Sequence, residues 1–349
     1  MAKKEDFTPL SKLGEFKLIE ELTSNFTLNQ GSSILGIGDD AAILEPLTGQ
    51  TLISADSLVE GVHFDLTYVA PGHLGYKAMV VNFSDICAMN GLPTQVLVNI
   101  GISNRFGLEF LKEIYAGIKA ACDVYDVDLI GGDTVSSYSG LNLSVTAIGQ
   151  ADAQKITKRS GAQENHLVVV SGDLGGAYMG LQILEREKSV FQENPDIQPE
   201  LKGNEYALGR QLKPEARTDI VDLLEKLEVI PSSMIDISDG LSSETLHLSQ
   251  SSGYGFALYE EKIPIDPTIY KLCEEFNLTS TTVALNGGED YELLFTIDPK
   301  DYDKIKGNPN LTVIGHVTEK GGECKLITRD NKLLPLNAQG WNSINEKNY

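Results

Sequence analysis

The chain has 349 residues, 41% hydrophobic and 22% charged, with 33 glycines, a globular composition rich in tight turns and neither disordered nor fibrous. At roughly 150 residues per domain, that length points to about two domains. Lys and Arg number 28 against 50 Asp and Glu, a formal net charge of −22, which excludes the basic footprint that nucleic acid or an anionic membrane needs.

The start MAKKEDFTPL has no apolar signal core, and no run approaches the roughly 18 apolar residues of a membrane span, so a cytoplasmic location is expected. ILGIGDDAAIL (34–44) and TLISAD (51–56) read as two strands whose ends deliver acids. GHLGYKAMVVNFSDICAMNG (72–91) reads as a helix, and TQVLVNIGI (94–102) as a strand with Val96, Val98 and Ile100 on one face. An amphipathic helix follows, with Leu108, Leu111, Ile114, Tyr115, Ile118 and Cys122 at three- and four-residue steps. VDLIGGD (127–133) and LNLSVTAIGQ (141–150) close this half as strands.

The polar stretch 150–166, with its Lys158-Arg159 pair, places a domain boundary near 150, giving domains 1–150 and 151–349. VVVSGDLGGAYMGL (168–181) then reads as a strand and a glycine turn opening a helix. That turn admits two readings, an anion site at the helix N-terminus or simple capping. Residues 185–217, charged and punctuated by proline, read as surface helix and connections. The alternation of strand and helix patterns gives an α/β (α+β) class with two domains, each a mixed sheet packed with helices. Cys87, Cys122, Cys273 and Cys324 show no CxxC spacing and read as buried core thiols.

Five segments set an aspartate beside glycine or at the end of an apolar run: GIGDDAAIL (36–44), SADSLVEGVHF (54–64), NFSDICAMNG (82–91), LIGGDTVSS (129–137) and MIDISDGLSS (234–243). Carboxylates raised on tight turns can converge on a hard divalent cation such as Mg²⁺, which points to phosphate chemistry. Asn82 and Asp85 share a face of an apolar helix, so Asp85 needs a partner: a metal, an ion pair or a cap. Each glycine turn taken singly is also an ordinary Asx turn, and Ser238 or Asp239 can equally cap a helix. His63 reads as a core or rim residue, or as a donor to a substrate phosphate. In LNGGEDYELLFTI (285–297), Glu289 and Asp290 read as a substrate contact or a turn cap. There is no GxxxxGK[ST] loop, no HRD or DFG element, no serine elbow and no HExxH.

With these motifs in hand, the chain resembles the thiamine-monophosphate kinase family, within the superfamily that also holds aminoimidazole-ribonucleotide synthetase and selenophosphate synthetase. The resemblance runs from GEFKLIEEL to QGW and rests on GIGDDAAIL, SADSLVEGVHF, YKAMVVNFSDICAMNG, LIGGDT, KRSGA, DISDGLSS and GGEDYELLF; the pairing of VEGVHF with GGEDYELLF marks the thiamine-phosphate branch. It implies several Mg²⁺ ions held by Asp40, Asp56, Asp85, Asp133, Asp236 and Asp239, helped by Ser54 and the backbone at Ala55. It implies ATP contacts at Tyr115, Gly132, Asp133, Arg159 and Ser238, and thiamine monophosphate contacts at His63, Glu289 and Trp341. No side chain is implied as a general acid or base. A homodimer is implied, its N-terminal sheets paired, with a metal, ATP and dimerisation domain at 1–150 and a C-terminal domain at 151–349 completing the nucleotide and substrate site. Family members often read Ser-Thr-Asp where this chain has Ser54-Ala55-Asp56.

The reaction expected from the resemblance is ATP-dependent phosphorylation of thiamine monophosphate to thiamine diphosphate by direct in-line transfer. Another ATP-dependent enzyme of the superfamily, closing an aminoimidazole ring, is the alternative. A non-catalytic cation binder is the reading from another class, which EF-hand or repeat loops would favour, and neither is present.

Overall fold

The computed structural model describes residues 8–46 and 49–338; Trp341 lies outside them. The chain divides into two compact units. One takes the residues up to Ile86 with Gly91–Ala153, the other Cys87–Asn90 with the residues from Gln154 onward.

The first unit carries α1 (Glu15–Thr23), β1 (Ser33–Leu35), β2 (Ile43–Leu44), β3 (Gln50–Val59), α2 (Pro71–Ala88, all but its last two residues), β4 (Leu92–Ile102), α3 (Leu108–Tyr125), β5 (Asp128–Ser136) and β6 (Leu141–Ala151). Its four-stranded sheet has the order β3-β6-β4-β5, antiparallel except between β4 and β5. Proline opens α2, where its missing N–H is harmless. Every residue from Leu74 to Ala88 is buried except Asp85, which is half-buried, as the nearly all-apolar sequence requires. The predicted stripe of α3 is buried throughout, and the helix stops at Asp126 in the left-handed conformation (φ 53°), its N–H on the Cys122 carbonyl.

Side chains alternate across a sheet, so register assigns faces. Asp56, itself exposed, lies opposite Val145, which lies opposite Val98, both valines buried. The next row runs Ser57, Ser144, Asn99, Asp133 and belongs to the other, open face. Ile53, Val59 and Val135, all exposed, stand on that open face as well.

The second unit carries β7 (Leu167–Ser171), α4 (Gly176–Glu193), α5 (Glu205–Leu212), α6 (Thr218–Lys226), β8 (Ser233–Asp236), α7 (Leu241–Ser252), β9 (Tyr254–Tyr259), α8 (Pro267–Glu275), α9 (Ser280–Asn286), β10 (Leu293–Ile297), α10 (Tyr302–Ile305), β11 (Leu311–Lys320), β12 (Lys325–Ile327) and β13 (Leu333–Pro335). Among the described residues these strands form one seven-stranded sheet of order β13-β12-β9-β11-β7-β10-β8. Only β12 and β9 pair in parallel. Val168, Val170, Ile235, Leu294, Phe256 and Leu258 share one core with α7, while α4, α8 and α9 close a second around Met179, Ile183, Ile269 and Val283.

Two glycines of α4 itself, Gly176 and Gly180, have a packing use that neither the anion-site nor the capping reading includes. A Cβ on Gly180 would lie 2.1 Å from the Ala207 carbonyl oxygen, and one on Gly176 would lie 2.9 Å from Cγ of Arg210. These two positions, one helical turn apart, let α5 lie directly on α4. Residues 185–217 are therefore not only surface: Gln211 is 6% exposed and the Arg217 side chain 11%.

Candidate active site

In the first unit, β3 and α2 bring three predicted residues together. The Ser54 hydroxyl donates to Asp85 Oδ2, and the Asp56 N–H donates to Asn82 Oδ1 at 2.9 Å. Asn82 is 1% exposed and returns its Nδ2 to the Ala78 carbonyl at 3.0 Å. Asp56 keeps solvent-exposed surface, yet crowding of its carboxyl by protein atoms, first, and the Asp85 carboxylate, second, push it up to about 6. Two carboxylates and a hydroxyl, all hard oxygen donors whose mutual repulsion a dication would relieve, suit Mg²⁺, which commonly takes one or two carboxylates and completes its shell with water and phosphate.

Asp56 lies within β3 and Asp133 within β5, so neither stands at a strand end as the sequence suggested. ILGIGDDAAIL (34–44), expected as one strand, instead spans the turn of a hairpin between β1, which ends at Leu35, and β2, which begins at Ile43, with exposed Asp39 and Asp40 in the turn and Asp40 N–H bonding Asp39 Oδ1 at 2.8 Å. Asp133 stands on the open face, away from Asp56 and Asp85. Ala55 also faces that side, in register with Thr146, so the missing threonine hydroxyl leaves the Ser54–Asp85 pair untouched. Among the described residues no three His, Cys, Asp or Glu side chains already form a metal-holding group.

Gly132 has φ 154°, and a Cβ there would lie 1.8 Å from the Val98 carbonyl oxygen, so only glycine fits beside Asp133. Tyr115 is 7% exposed, its phenol pushed up to about 12 by burial against the pull of its hydrogen bond with Thr134. His63 is exposed rather than a core residue, its Nδ1 accepting the Val59 N–H at 3.1 Å.

In the second unit, DISDG and GGEDYE interlock through the main chain. Glu289 N–H donates to Ser238 O at 2.7 Å, Tyr291 N–H to Ile237 O at 2.9 Å and Ile237 N–H to Glu292 O at 2.7 Å. Glu289 (φ 65°) and Tyr291 (φ 52°) are both left-handed, an uncommon conformation outside glycine that concentrates at functional sites. Neither Ser238 nor Asp239 caps α7. The N-cap is Gly240, and Glu244 reaches back to accept the Asp239 N–H at 3.2 Å. Asp236 is 4% exposed at the end of β8, and Arg159 is exposed.

The two acids of GGED have separate roles. Asp290 accepts the N–H groups of Gly175 (2.7 Å) and Ala177 (3.3 Å), so the anion at the start of α4 is the protein's own carboxylate. Burial pushes Asp290 up to about 7 against Arg210 and those two donors. Glu289 is half-buried and accepts Gln211 Nε2 at 2.7 Å.

Behind them, Glu292 binds Arg210 Nη1 at 2.9 Å, Arg217 Nη1 and the Ser171 hydroxyl. Burial opposes the charge on Arg210, but Glu292, Asp290 and Asp173 outweigh it and hold the guanidinium more firmly protonated. The sequence reading missed Arg210, Gln211, Arg217, Glu244 and Glu292. Their signals were a lone acid inside the apolar run YELLF, two arginines in RQLKPEAR, and Glu244 on the Leu241, Thr245 and Leu248 stripe of α7. All four cysteines are buried and free. Among the described residues no helix is long and apolar enough to cross a membrane.

Comparison with known proteins adds an independent finding. Residues 38–151 match the family model for AIR synthase related protein, N-terminal domain. The thiamine-monophosphate kinase of Bacillus subtilis (strain 168) is 33% identical over 336 residues, covering 95% of this chain and 99% of that protein. The solved structure of AaThiL complexed with AMPPCP and TMP superposes with a TM-score of 0.72 at 32% identity, covering 95% of this chain and 97% of the other. Hydrogenase maturation protein HypE in complex with ATP, at 16% identity and TM-score 0.71 over 91% of this chain and 94% of that one, shares the fold alone. With relatives this similar over nearly its whole length, the chain belongs to the thiamine-monophosphate kinase family.

Proposed function

We propose that this enzyme transfers the γ-phosphoryl group of ATP to thiamine monophosphate, yielding thiamine diphosphate and ADP, by direct in-line displacement assisted by Mg²⁺. The observation that carries the reading is the joined Ser54, Asp56 and Asp85 donor set in a chain 33% identical to a thiamine-monophosphate kinase. In this reading Asp40, Ser54, the Ala55 backbone, Asp56, Asp85 and Asp133 of domain 1–150, with Asp236 and Asp239 of domain 151–349, are the metal ligands. When bound, Mg²⁺ supplies positive charge that neutralises and orients the two phosphates.

The remaining work falls to the chain's own groups. The nucleophile is a phosphate oxygen whose second pKa is about 6, already ionised at neutral pH, so no side chain has to take its proton. Tyr115, Gly132, Arg159 and Ser238 contact the nucleotide, Arg159 adding positive charge where the transferring group becomes anionic. His63 donates to the substrate phosphate. The Glu289 carboxylate complements the cationic thiazolium and the aminopyrimidine donor of thiamine, and Trp341 stacks on a thiamine ring. The exposed apolar residues Ile53, Val59 and Val135 on the open sheet face support pairing of two copies into a homodimer.

The test is incubation with ATP, Mg²⁺ and thiamine monophosphate, with chromatographic detection of products. Equal amounts of thiamine diphosphate and ADP, abolished by chelator, are expected; ATP turnover without thiamine diphosphate would move the chain to the ring-closing branch of the superfamily.

A further inference from the structure

The segment 185–217 looks like a surface connection in the sequence, yet its helix α5 is wedged behind the GGEDYE turn. Gly176 and Gly180 let α5 lie against α4, and from there two consecutive residues reach the turn. Arg210 donates to the Asp290 carbonyl at 3.2 Å and to Glu292 at 2.9 Å, while Gln211 donates its amide to Glu289 at 2.7 Å. Glu289 itself sits at φ 65° with its N–H tied to Ser238. Its backbone is therefore fixed by DISDG and its carboxylate by α5.

We propose that Gln211 is a positioning residue for substrate selection. By holding one carboxylate oxygen of Glu289, it leaves the other aimed at the cationic or amino-bearing part of thiamine monophosphate. The inference rests on the reading of Glu289 as a substrate contact. A flexible glutamate would lose rotamer freedom each time substrate bound; one already held by a buried amide has lost that freedom in advance. Gln211 therefore acts on substrate affinity, and neither ATP affinity nor the chemical step depends on it.

The experiment is steady-state kinetics of the full chain with Gln211→Met, which keeps the length and removes the donor, beside Glu289→Gln and the double variant. A hydrogen bond to a charged group supports roughly a tenfold rise in KM for thiamine monophosphate in Gln211→Met, with kcat and the KM for ATP within about twofold of wild type. The double variant is expected to be no worse than Glu289→Gln alone. Gln211→Asn, which keeps the amide but withdraws it by one carbon, serves as the second variant if methionine impairs folding, and the same rise is expected.

Three outcomes overturn the inference. If Glu289→Gln raises the substrate KM while both Gln211 variants leave it unchanged, the positioning role is wrong. If Gln211→Met and Gln211→Asn alter kcat and both KM values alike, the residue is merely structural. If Glu289→Gln changes nothing, the substrate-contact reading itself has failed and takes the inference with it.

Discussion

Removing the charge of Glu292 by Glu292→Gln tests whether the interior of the second unit is organised around one carboxylate. Its side chain is 1% exposed and is shared by Arg210, Arg217 and Ser171, whose hydroxyl in turn accepts the Leu293 N–H at 2.8 Å. After substitution Arg217 keeps its two 2.9 Å bonds to Asp219, whose side chain is 57% exposed, and Arg210 keeps Asp290 at 3.8 Å. Taking one partner from a buried ion pair costs about 3–5 kcal/mol, because the charge left behind remains desolvated. For a unit of this size, 1 kcal/mol moves the melting point by about 2–4 °C, so a drop on the order of 10 °C is expected. Thermal and urea unfolding followed by circular dichroism would measure it. Adding Arg217→Met removes the stranded guanidinium and recovers part of the loss, giving a coupling of about 1 kcal/mol or more. A drop under about 2 °C, or strictly additive single variants, would refute the account of a closed ionic cluster.

Three further outcomes follow from the same geometry. Glu244 is 2% exposed with Oε2 lacking any hydrogen-bond partner, and burial, its first cause, pushes it from 4.5 up to about 8. The fold thus favours its protonated form, a stabilisation complete below pH 4.5 and lost as pH rises through 8. Asp56 and Asp290 are also held above their ordinary range in this window, so melting in EDTA should show wild-type stability falling between those values more steeply than that of Glu244→Gln, by about 1.4 kcal/mol per pH unit; equal slopes sink the assignment. Gly180→Ala drives a methyl group to 2.1 Å from the Ala207 carbonyl oxygen and should cost about 1–3 kcal/mol by urea titration, whereas wild-type stability would mean α5 can move aside freely. Asp85→Asn keeps an acceptor for Ser54 and should leave the melting curve intact while lowering turnover by roughly three orders of magnitude; near-normal turnover at saturating Mg²⁺ would remove Asp85 from the metal ligands.

What the sequence made legible follows from how local each signal is. The buried α2 and the amphipathic α3 were readable because a helix displays its burial pattern within a few turns. Asp56 and Asp85 stood out because an acid ending an apolar run and a carboxylate in an apolar helix are unusual over ten residues, whereas Ser54 came only from the family resemblance. The sheet face of Asp133 was not legible, since it depends on pairing with β4, and the one-residue register shift between Val96 and Leu97 decides which residues share a row. Nor was the partner of the α4 N-terminus, because Asp290 lies 115 residues away in the chain. The glycines of DLGGAYMGL illustrate the limit. Their spacing fits an anion turn and a helix packing seam equally well, and only the position of Ala207 separates the two.

The place of β7 in its sheet bears on how the chain is made. β7 lies between β11 and β10, and its Ser171 meets Leu293 across 122 residues. At about 5–20 residues per second, a ribosome emits LVVVS roughly 6–25 s before β10 exists to pair with it. Through that interval a short, strongly apolar strand has neither neighbour, the circumstance in which nascent chains aggregate or recruit a holdase. Slowing growth by lowering the temperature would lengthen that interval but weaken apolar association of the exposed strand. Soluble yield should therefore respond to temperature and chaperone supply more than to surface charge, which at −22 already opposes self-association.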